Sequence, residues 1–311
     1  MILSCGILFL AQHASAQFGG KAGAFSRMGF GARGIGLGNA MTAVSTGDLV
    51  GYYNPAALPF ARDINIAATF GILSLDRKLN FLSYTQPVHP SAGIAFGIIN
   101  SGVSDIDGRD FDGEPTGPLN TSENQIFLAF ANQFKGGLSL GITLKLYHHR
   151  LYTDVASTIV GLDFGGMMKV SESITIGASV RDINSEYKWD TSILYGQDGN
   201  STIDKFPILF SFGASYILPD SMGLVAVDVE ASNQKTLLAR VGVEVPLIPE
   251  LTLRAGIDRI DLKEKGNGIK PTFGFTVRKG FGDWVPALNY AYVVEPFVST
   301  GMHVISLSVV L

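Results

Sequence analysis

Between Leu138 and Tyr147 every second residue is apolar: Leu138, Leu140, Ile142, Leu144 and Leu146 alternate with Ser139, Gly141, Thr143, Lys145 and Tyr147. A period of two sends successive side chains to opposite faces of a β-strand, so this strand has one oily face and one small or polar face. Ile208, Phe210, Phe212, Ala214 and Tyr216 repeat the arrangement against Ser211, Gly213 and Ser215. Leu237, Ala239, Val241, Val243 and Val245 do so against Leu238, Arg240, Gly242 and Glu244. From Asp63 onward such runs follow one another between turn residues. They predict about fourteen strands, near 63–74, 79–88, 92–101, 122–134, 136–150, 156–171, 173–186, 206–218, 222–231, 236–248, 250–260, 268–281, 283–295 and 300–311. A meander of this kind either packs its oily faces together as a sandwich or turns them to lipid as a closed cylinder.

Loop lengths and composition separate the two. Connections after the even strands are tight, as at Lys135, Ser171-Glu172, Pro219-Asp220-Ser221, Ile248-Pro249-Glu250 and Gly282-Asp283, whereas the long ones, 102–121 and 187–205, follow odd strands. Short turns at one end and long loops at the other are the pattern of an outer-membrane barrel, and a Greek-key sandwich has no reason to sort its loops so. Of the 311 residues 46% are apolar and only 16% charged, where a soluble domain carries about 25%. The mean hydropathy is +0.26, yet after the first few positions no apolar stretch reaches the ~18 residues of a helical span. The expected fold is therefore all-β: a transmembrane antiparallel barrel of about 14 strands over 63–311. Closure pairs every backbone group around the ring and leaves no edge in hydrocarbon. The last strand should turn Ile305, Leu307, Val309 and Leu311 outward, and Tyr84, Tyr147, Tyr187, Trp189, Phe206, Trp284 and Tyr292 are candidates for interfacial girdles. Outer-membrane lipid is then the first partner. A net charge of −4 argues against nucleic acid.

Residues 1–16 read as a signal peptide, with an apolar core at Ile7-Leu8-Phe9-Leu10 and an A-x-A site at Ala14-Ser15-Ala16, although the first charged residue is Lys21. Cys5, the one cysteine, precedes the apolar run and is read as part of that core rather than a lipoprotein box. Residues 17–62 lack strand alternation and are rich in glycine, which permits close backbone approach, while Pro55 holds Asn54 extended. This segment is expected to fold as a compact plug or hatch, with Gly34, Gly36, Gly38, Asn54, Pro55 and Ala56 as its defining residues. Gly29-Phe30-Gly31-Ala32-Arg33-Gly34 also matches the dinucleotide pattern G-x-G-x-x-G. No strand precedes it and no βαβ unit follows, so no cofactor is expected.

The segment from Gly31-Ala32-Arg33-Gly34-Ile35-Gly36-Leu37-Gly38-Asn39-Ala40 to Tyr52-Tyr53-Asn54-Pro55-Ala56-Ala57-Leu58 resembles the N-terminal plug of FadL-like outer-membrane proteins. With the loop Gly108-Arg109-Asp110-Phe111 it looks like the PorV/PorQ family, associated with type IX secretion. The resemblance implies a fourteen-stranded barrel with a plug in its lumen. It also implies an accessory role in protein secretion, with exported proteins or partner barrels held at the external loops. The alternative it leaves open is a FadL-like channel for a small hydrophobic molecule, gated around Asn54-Pro55-Ala56.

Asp228 and Glu230, Arg240 and Glu244, and Arg254 and Asp258 fall at inward parity on neighbouring strands. Toward lipid the basic ones would cost ~2–4 kcal/mol each near the midplane; inward they form a lumen network that braces wall to plug, or else a substrate path. In the first long loop Asp105, Asp107, Arg109, Asp110 and Asp112, with Glu114, form either a solvated external surface or a calcium site, although the EF-hand spacing is absent. His148 and His149 point to opposite faces and do not chelate one metal. No G-x-S-x-G or H-E-x-x-H motif is present, so neither catalysis nor a metal is expected.

Overall fold

The computed structural model describes residues 20–48, 51–152, 154–263, 268–296 and 300–311; the expected signal peptide lies outside them. The strands are β1 (Asn65–Ile72), β2 (Arg77–Val88), β3 (Ala92–Arg109), β4 (Pro115–Gln133), β5 (Leu138–Tyr152), β6 (Val155–Lys169), β7 (Ile174–Ile183), β8 (Glu186–Asp190), β9 (Ser201–Lys205), β10 (Leu209–Ile217), β11 (Leu224–Ser232), β12 (Leu237–Ile248), β13 (Leu251–Asp261), β14 (Pro271–Arg278), β15 (Val285–Val293) and β16 (Met302–Val310). Fourteen of them close an antiparallel barrel in chain order, with β16 pairing β1 from Asn65↔Val310 to Ile72↔His303. β8 and β9 form a separate hairpin.

The period of two becomes the radial direction. On β5 the five apolar residues are between 39% and 51% exposed, whereas Ser139, Thr143, Lys145 and Tyr147 are at most 2% exposed. The apolar set stops at Leu146, and His148 and Arg150 follow on the same face. From Leu138 to Leu146 a strand rises about 26 Å. At the ~40° tilt usual for barrels this spans about 20 Å, close to the ~25 Å apolar band of a membrane barrel. Phe70, Leu128, Phe212, Phe273 and Leu307, each more than half exposed, continue that band around the wall. A belt of this extent is far larger than the apolar patches that water-soluble monomers leave bare, so hydrocarbon is its solvent.

Both long loops are more ordered than the turn chemistry predicts. The segment 102–121 is not a loop: β3 and β4 stay paired to Arg109↔Pro115 through a register shift after Val103, and only Asp110–Glu114 turns. The segment 187–205 holds the β8–β9 hairpin, which folds toward the lumen. Its Lys188 N–H donates to the inward Ser157 hydroxyl at 2.9 Å, and Tyr187 and Trp189 are buried. Four of the proposed girdle aromatics are therefore inside: Tyr187 and Trp189 of this hairpin pack with tilted rings, and Phe206 lies edge to face against both Tyr187 and Tyr147. Of the candidates Trp284 is the one clearly exposed, at 61%.

The N-terminal segment lies within the ring. A short helix, α1 (Gly31–Gly36), packs on β13 to β16 and β1, and a 3-10 turn, Pro55–Phe60, packs on β2 to β6. Ile35, Leu37, Val44 and Leu58 are fully buried, so this segment supplies the hydrophobic core that a barrel with a polar inner face lacks.

Candidate functional site

The interface between this inner segment and the wall gathers most of the polar residues singled out from the sequence. Asn54 stands before the 3-10 turn in an extended conformation and caps it by accepting the Ala56 N–H at 3.0 Å. Pro55 takes the first position of the turn, where its missing N–H costs nothing. The Asn54 amide donates to the Thr42 carbonyl at 2.8 Å, and to the Gly166 and Ala178 carbonyls of β6 and β7 at 3.2 and 3.3 Å. One side chain thus joins two stretches of the inner segment to the barrel backbone. Ala56 is fully buried behind it.

Close approach explains Gly34 and Gly38 of the inner segment, but not Gly36, where a Cβ would meet nothing nearer than 3.6 Å. Gly38 has φ +63°, and a Cβ there would strike the Ile257 backbone of β13. On the wall, a Cβ at Gly165 would meet the Asn54 side chain and one at Gly177 the Thr42 carbonyl, where backbone rests on backbone. Gly34 lies under the Tyr53 ring. The Gly36 carbonyl accepts from Thr272 Oγ1 of β14 at 3.1 Å. Tyr53 in turn donates its hydroxyl to Asn39 Oδ1 at 2.7 Å and accepts the Phe30 N–H at 2.9 Å. Burial pushes the Tyr53 hydroxyl well above the usual phenol range, so it stays a donor.

All six lumen charges meet partners. Asp228 accepts both the N–H and the hydroxyl of Thr42, at 2.9 and 2.7 Å. Glu230 holds Arg181 at 2.7 Å and Arg240 at 2.9 Å. Arg240 reaches on to Asp258 at 3.2 Å, and Asp258 accepts from Asn39 of the inner segment at 2.8 Å. Glu244 takes a bidentate pair from Arg33 of α1, at 2.9 Å through both Nε and Nη2, and a further bond from Arg254 at 2.5 Å. Wall and inner segment are therefore tied by charge at Arg33 and by charge-assisted hydrogen bonds at Asn39 and Thr42.

A second buried cluster was not singled out. Lys145 lies 2.7 Å from Asp163 and 2.8 Å from Asp182, with all three at most 3% exposed, and Tyr147 donates to Asp182 at 2.5 Å. Inward parity marks Lys145, Asp163 and Arg181. It does not mark Asp182, which follows the inward Arg181 directly. A register shift in the β6–β7 ladder and a φ of +62° at Asp182 turn both side chains inward.

The external acidic residues are spent locally. Asp107 pairs with Arg109 at 2.8 Å, Asp110 caps the hairpin turn by accepting the N–H groups of Asp112 and Glu114, and Asp105 takes a positive φ at the register shift. They do not converge: among the described residues no group of three metal-ligating side chains occurs.

Behind Asn54 the outer wall carries small residues. Gly166 and Ala178, side by side on β6 and β7, floor an apolar depression of about 360 Å³ walled by Leu138, Met168, Ile176 and Phe212.

No family model matches the sequence, and no curated relative does. Solved structures resemble the fold. The toluene transporter TodX of Pseudomonas putida superposes with a TM-score of 0.64 at 14% identity, covering 91% of this chain and 96% of that one. The toluene transporter TbuX of Ralstonia pickettii gives 0.59 at 12%, covering 92% and 98%. A Pseudomonas aeruginosa FadL homologue gives 0.57 at 12%, covering 90% and 97%. At such identities the likeness is one of architecture: the chain has the fold of FadL-type transporter barrels over nearly its whole length.

Proposed function

We propose that the protein is an outer-membrane channel for small hydrophobic molecules in which the inner segment is a plug that must shift for passage. The carrying observation is the apolar depression on the lipid-facing wall, backed directly by Asn54 and Thr42 of the inner segment. A pocket of this size suits a monoaromatic or short aliphatic molecule, and only two strand backbones separate it from the Asn-Pro-Ala turn. The toluene transporters with the same fold support the choice of ligand class. A bacterium lacking this protein should take up radiolabelled toluene more slowly, and Gly166→Phe, which fills the depression, should not restore uptake. Equal uptake with and without the protein would refute the reading.

A second reading, an accessory barrel of type IX secretion, is supported by the plug wording and by the projecting β3–β4 hairpin, whose Phe111 is fully exposed at its tip. Affinity capture from native membranes should then recover exported proteins or partner barrels, and Phe111→Ser should abolish their recovery.

A further inference from the structure

Three polar voids share walls through the interior. The first, about 320 Å³, lies at the end of the barrel that carries the β8–β9 hairpin, between the inner segment, β11 to β13, and Arg77, Lys270 and Glu295 at the rim. The second, about 10 Å³, lies beside Gly29, Asn39 and Thr42; Arg27 and Arg240 line both it and the first. The third, about 40 Å³, lies between α1 and the β15–β16–β1–β2 wall, and Tyr53 lines both it and the second. It reaches Asn65, the first residue of β1, which pairs with Val310 at the end of β16. The voids therefore run from the long-loop end to the short-turn end, with the Tyr53 ring between the last two.

The first two are lined by more cations than carboxylates. The first is lined by Arg27, Arg77, Arg240, Arg259 and Lys270 against Glu230, Asp258 and Glu295, and the half-buried Arg259 has no ion pair among the described residues. The second is lined by Arg27, Arg181 and Arg240 and by no carboxylate. The third is lined by Arg33 and Asp48 and is balanced in charge; both amide atoms of Asn65 and the Ser83 hydroxyl are buried there with no hydrogen-bond partner in the protein, and each is a ready contact for water or a hydrated ion. Rings of arginine select anions in pores. The second void, near the size of one water, limits the traveller to a few atoms.

We propose that this string of voids conducts small inorganic anions past the seated inner segment, an activity separate from the passage of hydrophobic molecules. Hydrophobic passage requires the segment to move; anion passage requires side-chain motion only, at Arg27 and Arg240 between the first two voids and at Tyr53 between the last two.

The test is the reversal potential of the purified, membrane-inserted protein in planar bilayers of neutral phosphatidylcholine under a tenfold potassium chloride gradient. Expected is a current that reverses near the chloride equilibrium potential, with chloride preferred over potassium by about tenfold or more. Ser211→Leu, which fills the second void, and Ser83→Leu, which fills the third, should each cut the conductance at least about fivefold. Arg259→Glu, which breaks no ion pair among the described residues, should move the reversal toward zero. No current above that of the bare bilayer, reversal at zero or on the potassium side, or conductance untouched by both fillings would overturn the proposal. Toluene uptake plays no part in the readout, so the two activities stand or fall apart.

Discussion

Glu244→Gln should unseat the inner segment, and its size follows from the geometry. Arg33 donates two hydrogen bonds to this carboxylate, with the paired side chains only 8% and 15% exposed, and Arg254, 1% exposed, shares the same oxygen. Neutralising Glu244 leaves two buried guanidiniums facing each other without the carboxylate that bridges them, and Asp48 is the acidic neighbour that remains to both. Removing one partner of a buried pair costs about 3–5 kcal/mol, and glutamine, which keeps an acceptor oxygen, belongs at the lower end. Departure of Arg33 relieves the docked state, so the loss falls on docking. About 3 kcal/mol is a roughly 150-fold rise in the undocked population. A single cysteine reports it: Ala40 is fully buried in the inner segment, and the sequence has no cysteine but Cys5. With Ala40→Cys in lipid vesicles, labelling by a water-soluble maleimide tracks the undocked fraction when opening and closing outpace labelling. Glu244→Gln should speed labelling by about two powers of ten. The double variant Arg33→Gln/Glu244→Gln should label no faster than the faster single one, because both remove the same pair. A rate within about threefold of the parent, or effects of the two substitutions that multiply, would refute the reasoning.

Lys145→Met leaves Asp163 and Asp182 buried together and should lower barrel stability by about 3–5 kcal/mol, read as a fall in the urea midpoint in lipid vesicles; a loss below about 1 kcal/mol would show that the cluster is not coupled in this way. Gly177→Leu drives a side chain into the Thr42 backbone, so the barrel should assemble while a thiol at position 40 labels freely; a protected thiol would contradict the close approach. Phe212→Arg, on a residue 67% exposed in the outer belt, should cost about 2–4 kcal/mol near the midplane, whereas Phe111→Arg at the hairpin tip should change stability by no more than about 0.5 kcal/mol. Equal costs at the two positions would mean that the belt does not face hydrocarbon.

How much of this is legible in the sequence depends on what a period of two encodes. It encodes direction, so the fourteen wall strands and the inward set from Asp228 to Asp258 are readable wherever the ladder is regular. Direction fails where the ladder slips: at Asp182 a positive φ brings in a carboxylate that alternation assigns to lipid. It fails again where a strand pair leaves the wall, since Tyr187 and Trp189 look like girdle residues until β8 and β9 fold inward. Height is not encoded at all. Asp228 and Glu230 share a strand and a face, about 7 Å apart, yet one holds Thr42 of the inner segment and the other holds two wall arginines. Only the register Asp228↔Arg240 and the depth at which Thr42 rests on Gly177 and Gly213 assign those partners. Both are fixed by backbone contact between distant parts of the chain, through glycines that carry no side chain for a pattern to show. The residues that fasten the inner segment are therefore visible one by one in the sequence, and the fastening is visible only in the fold.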